Sequence, residues 1–296
     1  MMQDAGIRSL LFVPGDNEKM IHKALASPAD AVIVDLEDAV MPSRKGYARG
    51  LLAELLPAVG RTEKPVVVRV NSFETGMTGA DLAAVVPAAP WGVMLPKWQQ
   101  ASDTVRLGHY LEALEAQQVR GTGETRILLV ATETAQAVLA LGRHGGHSRL
   151  WGMLWGGEDL SASLGAASSR DGGGRYSFPF RHARAQCLYA ASAWGAAPID
   201  SVHTDLKDLA ALESETEDAV RDGFVAKAAI HPAQVEVINR VMTPTDAQLD
   251  WSRRVVELLQ DEAVARLDGR MIDLAHKRMA ERLLQRAAAI AGRADA

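Results

Sequence analysis

The chain has 296 residues, of which 48% are hydrophobic and 23% charged, and this composition excludes a disordered or collagen-like protein. The length fits one large domain or two ordinary ones. With 32 basic against 37 acidic residues the net charge is -5, which excludes a sequence-independent nucleic-acid binder, because such a protein needs clustered Lys and Arg to displace counterions.

The basic run from Arg278 to Arg293 is interrupted by Glu281 and Leu283 and reads as the solvated face of an amphipathic helix. The single cysteine, Cys187, cannot form an intrachain disulfide, which favours a reducing compartment. The first residues, MMQDAGIRSL, lack the basic and apolar regions of a secretory signal, and no stretch approaches the ~20 apolar residues of a membrane span. The expectation is a cytoplasmic protein with no membrane and no nucleic-acid partner.

Short apolar runs recur along the chain. They are Ser9–Val13, Ala31–Asp35, Val66–Val70, Gly92–Leu95, Ile127–Ala131, Leu150–Trp155, Ile199–His203 and Phe224–Ile230. They are continuous rather than alternating, the pattern of parallel strands covered on both faces. Helix-like stretches separate them: Glu18–Ala26, Arg44–Leu56, Ala80–Val86, Ser102–Gln118, Thr134–Arg143, Arg181–Trp194 and Asp205–Asp222. Each gap has room for a right-handed crossover, so the order predicts a closed (β/α)8 TIM barrel. A doubly wound open sheet is the alternative, but the turn after the first run reads PGDNEK and lacks GxGxxG.

Past Met242 and Pro244 the pattern changes. Asp246–Asp261 predicts a helix capped by Thr245 or Asp246, Leu267–Asp273 (LDGRMID) a turn, and Leu274–Ala289 a last helix, with fraying from Gly292. The expected organisation is a catalytic barrel over 1–243 and a C-terminal helical lid or oligomerisation arm over 244–296. Arg170–Arg175 (RDGGGR) reads as a mobile loop.

Barrel active sites gather where strands end. Glu37 and Asp38 follow the second run, Arg69 and Asn71 close the third, Pro96 and Lys97 the fourth, Glu133 follows the fifth, and Glu158 and Asp159 follow the sixth. Mg²⁺ takes one or two protein carboxylates and completes its octahedron with water and substrate. Glu133 with Glu158 or Asp159 could supply them from adjacent units, with Glu37 and Asp38 holding water ligands. Arg69 offers a fork for a substrate carboxylate or thioester oxygen. A cation and an arginine both stabilise a developing oxyanion, which points to carbon–carbon bond cleavage or formation beside a carbonyl.

Each residue also has a plainer reading: Arg69 as a structural ion pair, Glu133 as a first-turn helix acid, Asp159 as an N-cap. Lys97 suggests a Schiff-base aldolase, but the nearby carboxylates would keep it charged. His203 and His231 read as core or hydrogen-bonding residues, Cys187 as a packed thiol, and the tryptophans as packing groups.

The runs RSLLFVPG, ADAVIVDLEDAV followed by Lys45 and Arg49, VRVNS, GVMLPK, ATETA, GGEDLSASLG, PIDSVHTD, IHPAQ and DGRMID stand in order along nearly the whole chain. Together they resemble the citrate lyase beta-subunit-like group of the HpcH/HpaI aldolase superfamily. The resemblance implies a TIM barrel with a C-terminal helical extension. It implies a Mg²⁺-dependent lyase (Mn²⁺ as a substitute) acting on a 3-hydroxyacyl-coenzyme A thioester such as malyl-CoA or citramalyl-CoA, and releasing an acyl-CoA and a 2-oxoacid.

By resemblance, Glu133 and Asp159 hold the metal, Arg69 and Glu133 meet the substrate, and Glu37 and Asp38 support the catalytic centre. Asp273, from a neighbouring subunit of a homotrimer or hexamer, handles a proton. Arg8 and Lys227 fall on the stretches expected to bind coenzyme A. The sequence departs from the family pattern at Ala226, where Gly is usual, in the DEAVARLDGRMID stretch and in the loop Arg170–Phe180, which leaves open a different acyl carrier. The alternatives are a citrate lyase beta subunit cleaving citryl-acyl carrier protein and a non-catalytic barrel that binds a metal and an acid.

Overall fold

The computed structural model describes residues 6–59, 64–117, 121–143 and 146–294. Eight parallel strands close into one barrel in chain order: β1 (Ser9–Pro14), β2 (Ala31–Asp35), β3 (Val66–Arg69), β4 (Gly92–Leu95), β5 (Arg126–Val130), β6 (Leu150–Leu154), β7 (Ala197–Asp200) and β8 (Ala226–Ala229). Closure is made by β8 pairing with β1, Ala228 opposite Leu10. The expected barrel is therefore the observed one.

Alternate strand residues point inward. Leu10, Ile33, Val67, Met94, Leu128 and Ile199 fill the barrel interior, while their neighbours, such as Val32, Val68 and Leu129, face the helices and form the larger outer core. Two apolar layers on either side of one sheet explain why the strand sequences do not alternate in polarity. The interior is packed with side chains, so the barrel has no pore and its chemistry is confined to one rim.

The crossover helices lie close to their expected positions, with one difference in kind. The segment after β6 carries two helices rather than one, Gly157–Leu164 and Phe178–Ala193. Between them, Arg170–Arg175 is part of a small closed loop, with a bridge from Arg170 to Tyr176 and a 2.5 Å ion pair from Arg170 to Glu215. The LDGRMID segment is a β-hairpin rather than a simple turn: β9 (Val264–Leu267) pairs antiparallel with β10 (Arg270–Asp273). Asp268 and Gly269 take φ of 49° and 77°, the left-handed pair a two-residue hairpin needs, which is why Asp-Gly stands there.

Thr245 is the cap of the Asp246–Leu258 helix, in a full capping box with Gln248. Leu259, Leu267, Ile272 and Ala280 form a small core of their own in the C-terminal segment. The last helix, Leu274–Ala294, continues past Gly292 instead of fraying, and Arg293 donates to the Asp30 carbonyl at 2.8 Å. Among the described residues no helix is long and apolar enough to cross a membrane.

Candidate active site

The C-terminal rim of the barrel opens into a cleft of about 420 Å³. Asp35 ends β2 and Arg69 ends β3, and the strand register sets them side by side. Arg69 Nε donates to Asp35 Oδ1 at 2.7 Å and Nη2 to Oδ2 at 2.6 Å, a bidentate pair. The guanidinium also lies 5.1 Å over the Phe12 ring. Burial pushes the Asp35 carboxyl up, but Arg69 and the amides of Glu37 and Ala39 outweigh it, so the group stays ionised, below the usual carboxylate range. Those amides donate to Asp35 at 2.8 and 2.9 Å, which fixes the turn that presents Glu37 and Asp38.

From behind, the buried Lys45 ammonium donates to the Leu36 and Glu37 carbonyls at 2.9 Å each and to Asn71 Oδ1 at 2.5 Å. A buried lysine with three acceptors is satisfied and braces the loop. Glu37 lies between two cations: Lys97 Nζ is 2.6 Å from Oε1 and Arg69 Nη1 is 3.1 Å from Oε2. The Oε2 contact is charge proximity only, because that atom lacks an aligned donor. Burial nevertheless raises the Glu37 carboxyl above its ordinary value.

Glu133 lies just past β5, beside the N-cap Thr134 of the Ala135–Ala140 helix. It is 2% exposed, and Oε2 accepts the backbone N–H of Lys97. Burial pushes its carboxyl up to about 8; the Lys97 amide opposes this, and the charges of Asp159 and Glu37 add to it. Asp159 sits in the first turn of the Gly157–Leu164 helix, where the dipole favours an acid. The N-cap is Gly156, not Asp159, so the capping reading of Asp159 is replaced. A Cβ on Gly156 would stand 2.7 Å from Glu133 Cγ, so only glycine lets this carboxylate lie against the next strand's turn.

Asp35, Asp38, Arg69, Glu133, Glu158 and Asp159 all line the cleft, with an apolar wall that includes Phe12, Val130, Leu154 and Val202. Among the described residues no cluster of three or more His, Cys, Asp and Glu side chains forms a cage for a metal ion. Two carboxylates, one of them buried and disfavoured as a lone anion, on an open acidic cleft fit a hard cation that keeps most of its water or takes substrate oxygens. The donor set therefore suits Mg²⁺.

Other predicted residues fall elsewhere. Arg8 precedes β1 at the opposite rim, where it pairs with Asp30 at 2.8 Å and donates to Thr243 Oγ1 at 2.9 Å. Six residues of strand, about 20 Å, separate it from Pro14, so Arg8, expected on the coenzyme A stretch, does not line the cleft. Lys227 is 2% exposed on the outward face of β8, with Nζ on Asp200 Oδ2 at 3.0 Å and the Ser201 carbonyl at 2.8 Å. Lys227, expected on the other coenzyme A stretch, is thus a buried cation paired under the helices and does not line the cleft. Ala226, read as part of the thioester surface, packs inside the barrel.

Asp273 lies outside the cleft of its own chain. It ends β10, accepts the amides of Ala275 and His276 at 2.9 and 3.3 Å, and meets His276 Nδ1 at 2.8 Å. His231 caps the Pro232–Met242 helix, His203 bonds Glu215 at 3.0 Å, and Cys187 is buried. Sequence reasoning missed Asp35 as the partner of Arg69. The available signal was an acid and an arginine each ending a buried apolar run, AVIVD and VVVR, on adjacent strands. It also missed the bracing role of Lys45 and the position of Lys97, whose φ of 50° turns its amide onto Glu133.

A family profile for carbon–carbon bond lyases of the TIM-barrel fold matches residues 181–291. The chain belongs to the HpcH/HpaI aldolase/citrate lyase family, whose profile spans residues 8–232. It is 35% identical over 278 residues to a citrate lyase subunit beta-like protein of Mycobacterium tuberculosis, covering 94% of each chain. It is 33% identical over 289 residues to a (3S)-malyl-CoA thioesterase of Cereibacter sphaeroides, covering 96% of this chain and 95% of that one. Among solved structures it is similar to the protein CitE of M. tuberculosis in complex with magnesium, acetoacetate and coenzyme A. The TM-score is 0.78 at 34% identity, over 96% of this chain and 99% of that one.

Proposed function

We propose that the protein is a Mg²⁺-dependent lyase that cleaves or forms a 3-hydroxyacyl-CoA thioester of the malyl-CoA or citramalyl-CoA type. The observation that carries this reading is the convergence of Glu133, Asp159 and Arg69 on one cleft. The M. tuberculosis relative, solved with magnesium and coenzyme A, supports the same pair of ligands.

Glu133 and Asp159 would hold the metal, which when bound polarises the oxygens of the 2-oxoacid portion. Arg69, locked by Asp35, orients a substrate oxygen and favours charge developing on it. In cleavage the substrate hydroxyl passes its proton to a carboxylate of the cleft, for which Asp38 is the proposed acceptor, the adjacent carbon–carbon bond breaks, and its electron pair moves to the thioester oxygen. The α-carbon of the acyl-CoA fragment then takes a proton. Asp273 of a neighbouring subunit is the proposed donor, in a homotrimer or hexamer, because its own chain places it away from the cleft.

The test is turnover of malyl-, citramalyl- and citryl-CoA with and without Mg²⁺, reading the released 2-oxoacid and acyl-CoA. Mg²⁺-dependent glyoxylate or pyruvate is expected. Turnover of citryl bound to acyl carrier protein alone, free coenzyme A without carbon–carbon cleavage, or metal binding with no turnover would each overturn this reading.

A further inference from the structure

Lys97 is the cation at the centre of the acidic rim. Its Nζ lies 2.6 Å from Glu37 Oε1, 3.2 Å from Asp38 Oδ2 and 3.5 Å from Asp159 Oδ1. Its backbone is held in the left-handed region, φ 50°, where a lysine is uncommon, and in that conformation its N–H reaches Glu133. One residue thus touches both proposed metal ligands, one through its amide and one through its charge. The side chain is only 26% exposed, so water screens it incompletely.

A unit charge so close to Asp159 opposes a divalent ion at the same carboxylate, because like charges a few ångströms apart repel even where the effective dielectric is high. The ammonium has somewhere else to go: Glu37 and Asp38 are both nearer to it than Asp159 is.

We propose that Lys97 is a built-in competing cation for Asp159, a positioning residue that keeps Mg²⁺ affinity low until an anionic 2-oxoacid or thioester enters. The substrate carboxylate then offsets the repulsion from Lys97 and supplies oxygens that the protein does not. Metal and substrate would bind with positive coupling, each tightening the other by the same factor. The inference rests on the assignment of Glu133 and Asp159 as metal ligands.

The experiment is calorimetric titration of the full chain with MgCl₂, in the absence and presence of glyoxylate or pyruvate, on wild type, Lys97→Asn and Lys97→Arg. Asparagine tolerates the left-handed backbone and keeps the amide on Glu133 while removing the charge. Lys97→Asn is expected to bind Mg²⁺ alone about tenfold or more tightly than wild type, with a smaller gain from the oxoacid. Lys97→Arg is expected to stay within a few-fold of wild type. Unchanged or weaker Mg²⁺ binding by a folded Lys97→Asn, with wild-type binding intact, sinks the competing-cation role alone. No Mg²⁺ binding by wild type and Lys97→Asn alike sinks the metal assignment and this proposal with it.

Discussion

Arg69 and Asp35 end neighbouring strands and face each other through two parallel hydrogen bonds, 2.7 and 2.6 Å long. Asp35 is 1% exposed, so the guanidinium owes its orientation to a carboxylate that substrate cannot easily displace. Replacing Asp35 by Ala strands the arginine beside Glu37 without its main partner. Breaking a buried pair on one side costs about 3–5 kcal/mol. Denaturant unfolding of Asp35→Ala should show a loss of that size, and its kcat/KM should fall with it. Wild-type stability would show that Arg69 is positioned by something else.

Glu133 gives a proton signature. Metal-free, its carboxyl is raised to about 8, so at pH 7 it is mostly protonated. A metal ligand must be ionised, and Mg²⁺ binding at pH 7 should therefore release close to one proton per site. Titrations in two buffers of different ionisation enthalpy measure it, and release should vanish above pH 9. The same shift sets the sign for folding. A carboxyl raised from 4.5 gives its stabilising contribution in full below pH 4.5 and loses it as pH rises through about 8. Melting curves of the metal-free protein should fall across that window, and Mg²⁺ should restore them. A pH-independent Mg²⁺ affinity would contradict the raised value.

Gly156 bears on the same carboxylate from the next strand. A methyl group there would sit 2.7 Å from Glu133 Cγ, too close for any real pair, so Glu133 must move. Gly156→Ala should weaken Mg²⁺ binding about 10–100-fold, the usual effect of disturbing the shell that orients a ligand. Its fold should be preserved by circular dichroism. Equal Mg²⁺ affinity would mean that the 150s turn has slack the structure does not show.

Asp273 is tested by mixing subunits. Asp273→Asn should lose most of its turnover yet bind Mg²⁺ as wild type does, since it lies outside the cleft of its own chain. Random reassembly with Glu133→Gln chains should restore about a quarter of the sites in a cyclic oligomer, because intact sites then form between unlike chains. Normal turnover of Asp273→Asn would remove Asp273 from the reaction, and lost turnover with no recovery on mixing would remove its action across subunits.

The barrel was legible because its cause is local. Each strand is buried on both faces, so runs such as AVIVD and VVVR must be apolar without alternation, and a helix must cover each of them. Strand ends are likewise local, which is why Glu133, Asp159, Arg69, Glu37 and Asp38 could be picked from the sequence as rim residues. The hairpin at LDGRMID was missed because its strands, VARL and RMID, are short, mostly exposed and carry little hydrophobic signal.

What only the tertiary structure decided is which charge meets which. Arg8 and Arg69 both border strands of one barrel, but one lies at the rim of the cleft and the other at the opposite end beside Asp30. Lys227 stands inside β8 and Lys97 just past β4; the outward face of β8 buries the first against Asp200, while a left-handed turn swings the second over Glu37, Asp38 and Asp159. The order of apolar and polar residues sets the strand and its ends. The face a side chain takes, and the partner it finds there, depend on strand register and on helices from distant parts of the chain.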